Sequence, residues 1–177
     1  MDQDKRLYIM AGFDPDTERR LSERERLLEN KGFHGQQTRG IPHHLTLGDC
    51  PTKQEEQVRA LVARVAAETA AFPVTFNHLG LFSGGRVLFA APDASHELLS
   101  LRERFGPAFN WTPHATLLIA EPELIVRAVT PAIQAFEPFD GRVESLLLYE
   151  FFPARPILNL PLTGIPAPDS RLFDTCN

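Results

Sequence analysis

Two short segments, 70 residues apart, repeat one pattern along this chain. Residues 42–47 read Pro-His-His-Leu-Thr-Leu, and residues 113–117 read Pro-His-Ala-Thr-Leu. In both, apolar and polar residues alternate with the period of two that is typical of a strand. A stretch with helical spacing follows each of them, at 53–70 and at 121–136. A strand and a helix repeated in this way predict a fold built from two related halves.

The rest of the chain supplies further strand and helix patterns. A buried strand is predicted at 7–13. It leads through a cap within Asp14-Pro15-Asp16 into a helix at 16–31. Further predictions are a hairpin at 74–82 and 86–91, a helix capped by Ser95 at 95–105, and closing strands at 142–150 and 157–162. We therefore expect an α+β fold that is bilobal. Two pseudo-symmetric halves with mostly antiparallel sheets would face a central cleft, with the helices outside.

Size and composition favour one globular domain. The chain has 177 residues, of which 43% are hydrophobic and 23% charged, as in ordinary soluble proteins. We expect a single two-lobed domain over 1–177, with one motif in the half around 43–70 and the other in the half around 111–136, and we expect a monomer. Cys50 and Cys176 stand in neither a metal-type nor a redox-type spacing, and both are interpreted as free thiols.

The net charge and the lengths of the apolar runs limit the classes of partner that this chain can bind. A formal net charge of −5 disfavours binding to an extended duplex, because the surface would repel a polyanion. An RNA end or a small nucleotide remains compatible if arginines set a local potential, and Arg39, Arg86 and Arg155 are the candidates. The apolar run 7–13 is too short for a signal core, and no run reaches membrane-spanning length. A cytoplasmic protein with no membrane contact is expected.

The paired motifs carry the chemistry. Residues i and i+2 of a strand point to the same face, so His44 lies beside Thr46, and His114 beside Thr116. Phosphodiester cleavage needs a base for the attacking oxygen and an acid for the leaving oxygen, and histidine suits both tasks near neutral pH. Threonine hydroxyls can donate to phosphate oxygens as charge builds on them. No metal or other cofactor is required.

Other polar residues are weaker candidates. Arg39 and Tyr149 are candidate substrate contacts, although a loop arginine is more often solvated and a strand tyrosine more often fills the core; the same holds for Phe151. Trp111 suits either a cleft wall or a hydrophobic plug. By strand alternation His43 should face away from the cleft and have a structural role. The remaining histidines have no partner at a useful spacing: His34, His78 and His96.

Together with the runs 76–89 and 145–150, the two motifs resemble the two-histidine phosphoesterase superfamily, in particular the 2′-5′ RNA ligase family. The resemblance implies a bilobal fold and a role in RNA processing. It also implies metal-free hydrolysis of 2′,3′-cyclic phosphodiesters to 2′-phosphates, with reversible 2′-5′ RNA joining in some members. The substrate would be an RNA 3′ end or a small cyclic nucleotide. His44 and His114 would be the acid and base, and Thr46 and Thr116 the phosphate binders.

Two departures from the family pattern leave alternatives open. Many relatives have an arginine at the position of Ile119, and the first motif continues into residues 48–50, Gly-Asp-Cys, rather than an aromatic residue and glycine. A second hypothesis, based on the missing arginine at position 119, is that the same fold serves as a nucleotide- or RNA-binding module without turnover. A third hypothesis is a metal hydrolase that uses His43, His44 and His114, which the lack of a clustered acidic ligand disfavours.

Overall fold

The protein is described here by a computed structural model of residues 5–165. Cys176 and the predicted loose tail after Ile165 lie outside these residues. The strands are β1 (Arg6–Phe13), β2 (His44–Pro51), β3 (Phe72–Leu81), β4 (Val87–Pro92), β5 (Ala115–Ile119), β6 (Phe139–Phe151) and β7 (Arg155–Pro161). The helices are α1 (Pro15–Asn30), α2 (Glu55–Glu68), α3 (His96–Glu103) and α4 (Pro122–Ala135), with a 3-10 turn at Thr52–Gln54 before α2.

The caps that the sequence predicts are present. Asp14 accepts the backbone N–H of Thr17 at 3.0 Å and so caps α1, and Ser95 accepts the N–H of Leu98 at 3.1 Å at the start of α3. The helix α1 ends where Gly32 adopts a φ of 87°, a left-handed conformation that glycine adopts at little cost. Short polar residues and one glycine thus fix where these helices begin and end.

Of the differences between predicted and observed element boundaries, three are in or beside the motif strands or at Pro73. The second motif strand begins only at Ala115, so His114 precedes it, which is consistent with Pro113 having no N–H for a ladder. The first motif strand extends beyond residue 47 to Pro51, because it pairs with β1 over its whole length. Pro73 lies within β3 rather than before it. There β3 pairs with β6 alone, since its pairing with β4 begins at Phe76.

All seven strands belong to one antiparallel sheet. The order is β2-β1-β6-β3-β4-β5, and β7 pairs with β6. The two expected sheets are therefore continuous, joined where the start of β6 pairs with β3. Each half contributes three strands to the path and places its motif strand at the outer edge. The predicted α+β architecture is confirmed, with four helices and an antiparallel sheet.

The two edge strands approach each other in space. Although four strands separate β2 from β5 in the sheet, the two are in contact, so the sheet must curve. The helices cover one face: α1 packs on β5 and β6, α2 on β6 and β7, α3 on β2 and α4 on β4. The other face is left to the cleft between the two edges.

Alternation along the strands separates these two faces. Leu45, Leu47 and Leu117 are buried in the helix-side core, as the motif pattern predicts. In the sheet, Met10 is the register partner of both Thr46 and Leu147. Met10 and Leu147 are also buried, but they are not part of that core and so belong to the opposite face of the sheet. Within residues 5–165 no helix has the length and apolar character that crossing a membrane requires.

Candidate active site

A cavity of about 530 Å³ lies between the two edge strands. Its lining includes His44 and Thr46 from the first motif and Thr116 from the second. His114 is not part of the lining, but repulsion between the charged forms of the two rings lowers the pKa of His44, so the two imidazoles lie within electrostatic reach. The structure therefore brings the two motifs, 70 residues apart in the chain, to one site.

Each motif histidine is held in the same way. His44 Nδ1 lies 2.8 Å from the carbonyl oxygen of Pro42, and His114 Nδ1 lies 2.9 Å from that of Thr112. A carbonyl oxygen can only accept, so Nδ1 carries the proton and donates in both rings. Nε2 is then the atom that gains or loses a proton. The pseudo-symmetry of the fold extends to the tautomer of its two histidines.

Burial disfavours the charged form of both imidazoles. The pKa of His44 is lowered by burial and, to a smaller extent, by the positive charge of His43 and by repulsion from His114 when that ring is protonated. The pKa of His114 is likewise lowered by burial. Both rings are therefore predominantly neutral at pH 7 in the free protein, with Nε2 able to accept a proton.

Aromatic rings fix the position of His114. Its ring meets Phe82 edge-on with 4.6 Å between centroids, and the centroid of Phe89 lies 5.3 Å away. Phe89 in turn lies against Gly80, where a Cβ would stand 2.4 Å from its ring. A side chain at position 80 would thus displace a ring that supports His114.

The threonine hydroxyls are available to a ligand. Thr46 and Thr116 are both half-buried, and each lies two residues after its histidine. Neither hydroxyl has a hydrogen-bond partner among the described residues, and neither is a buried polar atom left unsatisfied. Both can therefore donate to a group that enters the cavity.

Two loops hold the edge strands together. Trp111 donates from Nε1 to the carbonyl oxygen of Thr46 at 3.0 Å and so links the first motif to the segment before the second. The backbone N–H of Gln36 donates to the carbonyl of Ile119 at 2.7 Å. The Gln37 side chain accepts from the N–H of Ile119 at 3.2 Å. Trp111 thus packs against the core and also joins the segment before β5 to β2 by a hydrogen bond.

His43 is the centre of a charged cluster beside the first motif. Glu18 lies 2.9 Å from its Nδ1, and Glu25 lies 3.3 Å from its Nε2. Burial opposes the charged form of His43, but hydrogen bonds and charges from the two glutamates outweigh it and raise its pKa to about 9. The pKa of Glu25 is lowered, mainly by its hydrogen bond with His43 and also by one from Gln37. We call Glu18, His43 and Glu25 the His43 cluster.

The expected orientation of His43 is wrong in one respect. Its side chain is held by acids, as expected of a structural residue, but it also lines the cavity. The prediction applied strand alternation to a residue that lies outside the strand, since β2 begins at His44. Through Glu25 and Gln37 the His43 cluster is connected to β5.

The His43 cluster predicts a loss of stability at alkaline pH. The folded pKa of about 9 lies above the ordinary value of 6.5. The cluster therefore stabilises the fold fully below about pH 6.5, and this stabilisation is lost as the pH rises through about 9. Its full size is about 3.5 kcal/mol at roughly 1.4 kcal/mol per pKa unit. Urea unfolding of the wild type and of His43→Gln at pH 6 and pH 9.5 should show a smaller pH dependence in the variant.

A matched control is His34→Gln, which changes an exposed histidine and should behave as the wild type. Equal pH dependence in the wild type and His43→Gln would show that the cluster does not stabilise the fold.

The weaker sequence candidates divide between the cavity and the surface. Arg39 is exposed and lines the cavity. Tyr149 does not line it; its ring stacks on Phe151 at 6.1 Å between centroids, and Phe151 does line it. Arg86 pairs with Glu121 at 2.9 Å and is not at the cavity.

The remaining candidates are not part of the cavity lining. Arg155 pairs with Glu55 and Glu150 at 2.9 and 2.8 Å. The other histidines are exposed: His34, His78 and His96. None of these residues lines the cavity.

Sequence reasoning missed several lining residues. Tyr8 and Met10 line the cavity from β1, and period-two alternation within 7–13 would have placed them on one face. Glu25 and Gln37 gave no such signal, because their place depends on how α1 and the loop after it dock on β5. Within residues 5–165 no three His, Cys, Asp or Glu side chains are grouped so as to hold a metal ion.

Comparisons with known proteins agree with this fold. A family model described as the 2′-5′ RNA ligase superfamily matches residues 13–151, and no curated protein matches the sequence significantly. The structure of E. coli LigT complexed with phosphate is 20% identical, with a TM-score of 0.61 over 90% of this chain and 98% of that one. The structure of E. coli LigT complexed with 3′-AMP is 20% identical, with a TM-score of 0.60 over 91% of this chain and 99% of that one. The TT0787 protein of Thermus thermophilus is 19% identical, with a TM-score of 0.56 over 90% of this chain and 98% of that one. At these identities the likeness shows a shared fold.

Proposed function

Because the chain belongs to the 2′-5′ RNA ligase superfamily, we propose that it is a metal-independent cyclic phosphodiesterase. It would hydrolyse the 2′,3′-cyclic phosphates of RNA ends or small nucleotides to 2′-phosphates, and so act in RNA processing. The observation that carries this proposal is the matched pair of imidazoles. Each has Nδ1 held by the carbonyl two residues before it. Each is followed two residues later by a threonine whose hydroxyl has no hydrogen-bond partner within residues 5–165.

The proposed reaction assigns one proton transfer to each imidazole. One neutral Nε2 takes a proton from water as the water oxygen attacks phosphorus, and the other ring, charged, donates a proton to the departing 3′ oxygen. The bond from phosphorus to the 3′ oxygen breaks, and the phosphate stays on the 2′ oxygen. Thr46 and Thr116 donate to the non-bridging oxygens. The positive charge of His43 favours the neutral form of His44, which suits the base, and leaves His114 as the acid.

The direct test is hydrolysis of nucleoside 2′,3′-cyclic phosphates by the purified chain in the presence of a chelator. Phosphorus NMR of the product distinguishes a 2′-phosphate from a 3′-phosphate. A 2′-phosphate is expected, at a rate that the chelator does not change. No turnover of cyclic mononucleotides or of cyclic-phosphate-ended RNA would exclude the proposal, and loss of turnover in chelator would exclude its metal-independent form.

The pH dependence of the reaction should be bell-shaped with an acidic optimum. One imidazole must be neutral and the other charged, so kcat/KM is largest between the two pKa values of the free protein. Both pKa values lie below the ordinary 6.5, so the maximum is expected below pH 6.5. His43→Gln removes a positive charge beside His44 and should move one limb to higher pH. A maximum above pH 7 would contradict this assignment.

One observation favours a second candidate function, a nucleotide- or RNA-binding module without turnover. Ile119 lines the cavity at the position where many relatives have an arginine, so one source of charge stabilisation is missing. Calorimetry with a cyclic nucleotide, paired with a product assay on the same sample, separates the two functions. Heat of binding with no product would favour the module.

A further inference from the structure

The cavity has few positive charges for a site that would bind an RNA strand. Its charged lining residues are Glu25, Glu29, Arg39 and His43. The charge of His43 is matched within its cluster, where Glu18 and Glu25 hold both ring nitrogens. Arg39 is thus the lining cation that remains for a substrate, and Glu29 stands on the same wall. With Glu18, which contacts His43 but is not a lining residue, three carboxylates stand against the two cations Arg39 and His43.

Three basic residues near Phe151, which lines the cavity, are already paired. Arg6 is the register partner of Phe151 in the sheet, and its guanidinium is hydrogen-bonded to Asp49. Nearby, Lys5 pairs with Glu150 at 3.3 Å, and Arg155 pairs with the same glutamate at 2.8 Å. Within the described part of the chain, these cations therefore offer no surplus charge to phosphates that extend beyond the cavity on this side.

The remaining lining is largely apolar and suits a compact ligand. Tyr8, Ile41 and Phe151 line the cavity with Ile119, and Phe152 adds a ring that is 61% exposed. A volume of about 530 Å³ is within the range of small-molecule sites. An RNA strand adds a negative charge with every nucleotide, and such charges bind where lysines and arginines neutralise them. This surface offers apolar contact instead.

On the premise that the proposed function holds, we propose that the substrate class is a small cyclic phosphodiester with a single negative charge. A nucleoside 2′,3′-cyclic phosphate without further phosphates fits this class. One phosphate meets Thr46, Thr116 and the two imidazoles, while the rest of the ligand lies against the apolar wall. A cyclic phosphate at the end of an RNA strand brings further charges toward Glu29 and the paired cations, and is disfavoured.

The test compares uridine 2′,3′-cyclic phosphate with a tetranucleotide that ends in the same group. We expect kcat/KM to be at least about 10-fold higher for the mononucleotide at low ionic strength. Salt should narrow this difference, because it screens repulsion beyond about 10 Å at 0.1 M. An equal or higher kcat/KM for the tetranucleotide would overturn the inference, as would a steep fall of its kcat/KM with salt. Hydrolysis of neither compound would instead overturn the proposed function.

A charge reversal on α1 sharpens the test. Glu29→Lys puts a cation on the cavity wall, and the ratio of kcat/KM for the tetranucleotide to that for the mononucleotide should rise about 5-fold at low salt. Glu23→Lys is the matched control. It makes the same change on the same helix at an exposed residue that does not line the cavity, and its ratio should stay near that of the wild type. The same ratio in both variants would contradict the inference.

Discussion

Replacement of His44 or of His114 by alanine is expected to lower kcat/KM for a nucleoside 2′,3′-cyclic phosphate by about 10²–10⁴-fold, the usual contribution of an acid or base. Each imidazole has Nδ1 occupied by a carbonyl, so its Nε2 transfers the proton, and alanine has no group to replace it. Since the two rings act on one transition state, the double variant should lose less than the product of the two single losses. Initial rates over a range of substrate concentrations measure each effect.

The matched control for both histidine variants is His96→Ala. His96 is exposed, and its hydrogen-bond partner within residues 5–165 is Ser100, at 3.5 Å. Its loss should change kcat/KM by less than about 2-fold, as for other surface positions. Thermal unfolding of each variant shows whether the fold persists. A folded His44→Ala or His114→Ala protein within 10-fold of the wild-type kcat/KM would show that the ring is neither acid nor base.

The sequence predicts the elements of this fold well because their signals are local. The alternation at 42–47 and 113–117 places Leu45 and Leu117 in the core and the polar residues on the other face, as observed. Caps and turns at Asp14, Ser95 and Gly32 need only neighbouring residues, and so they too can be found without a structure. The repeat of strand and helix then predicts two related halves, and the sheet order β2-β1-β6-β3-β4-β5 has this symmetry.

The curvature of the sheet could not be predicted from these local signals. The motif strands are the farthest apart in the hydrogen-bonded order, and they meet only because the sheet curves until its edges are in contact. The contacts that hold the edges involve Trp111 and Gln37, which bond across 65 and 82 residues of chain. No periodicity in the sequence marks such pairs. The site is thus built by the tertiary structure from locally predictable parts.

The environments of the two histidines were also hidden from sequence reasoning. The motifs are equivalent in sequence, yet His114 packs against Phe82 and Phe89, while His44 adjoins the charged His43. Both arrangements depend on elements distant in the chain, the hairpin in one case and α1 in the other. The difference gives otherwise equivalent histidines different electrostatic surroundings, which is what separate roles as base and acid require.

Replacement of Thr46 or of Thr116 by valine should lower kcat by about 10²–10³-fold, the usual cost of removing one donor to a developing negative charge. Valine keeps the branched shape that suits a strand and removes only the hydroxyl, which has no partner among residues 5–165 and so costs the fold no hydrogen bond. Thr→Ser at either position restores a donor and should recover most of the rate. Thr130→Val, on the exposed face of α4, should leave kcat unchanged. If valine raised KM while kcat stayed at the wild-type value, the hydroxyl would bind substrate and transition state equally, and its proposed role in stabilising charge would be wrong.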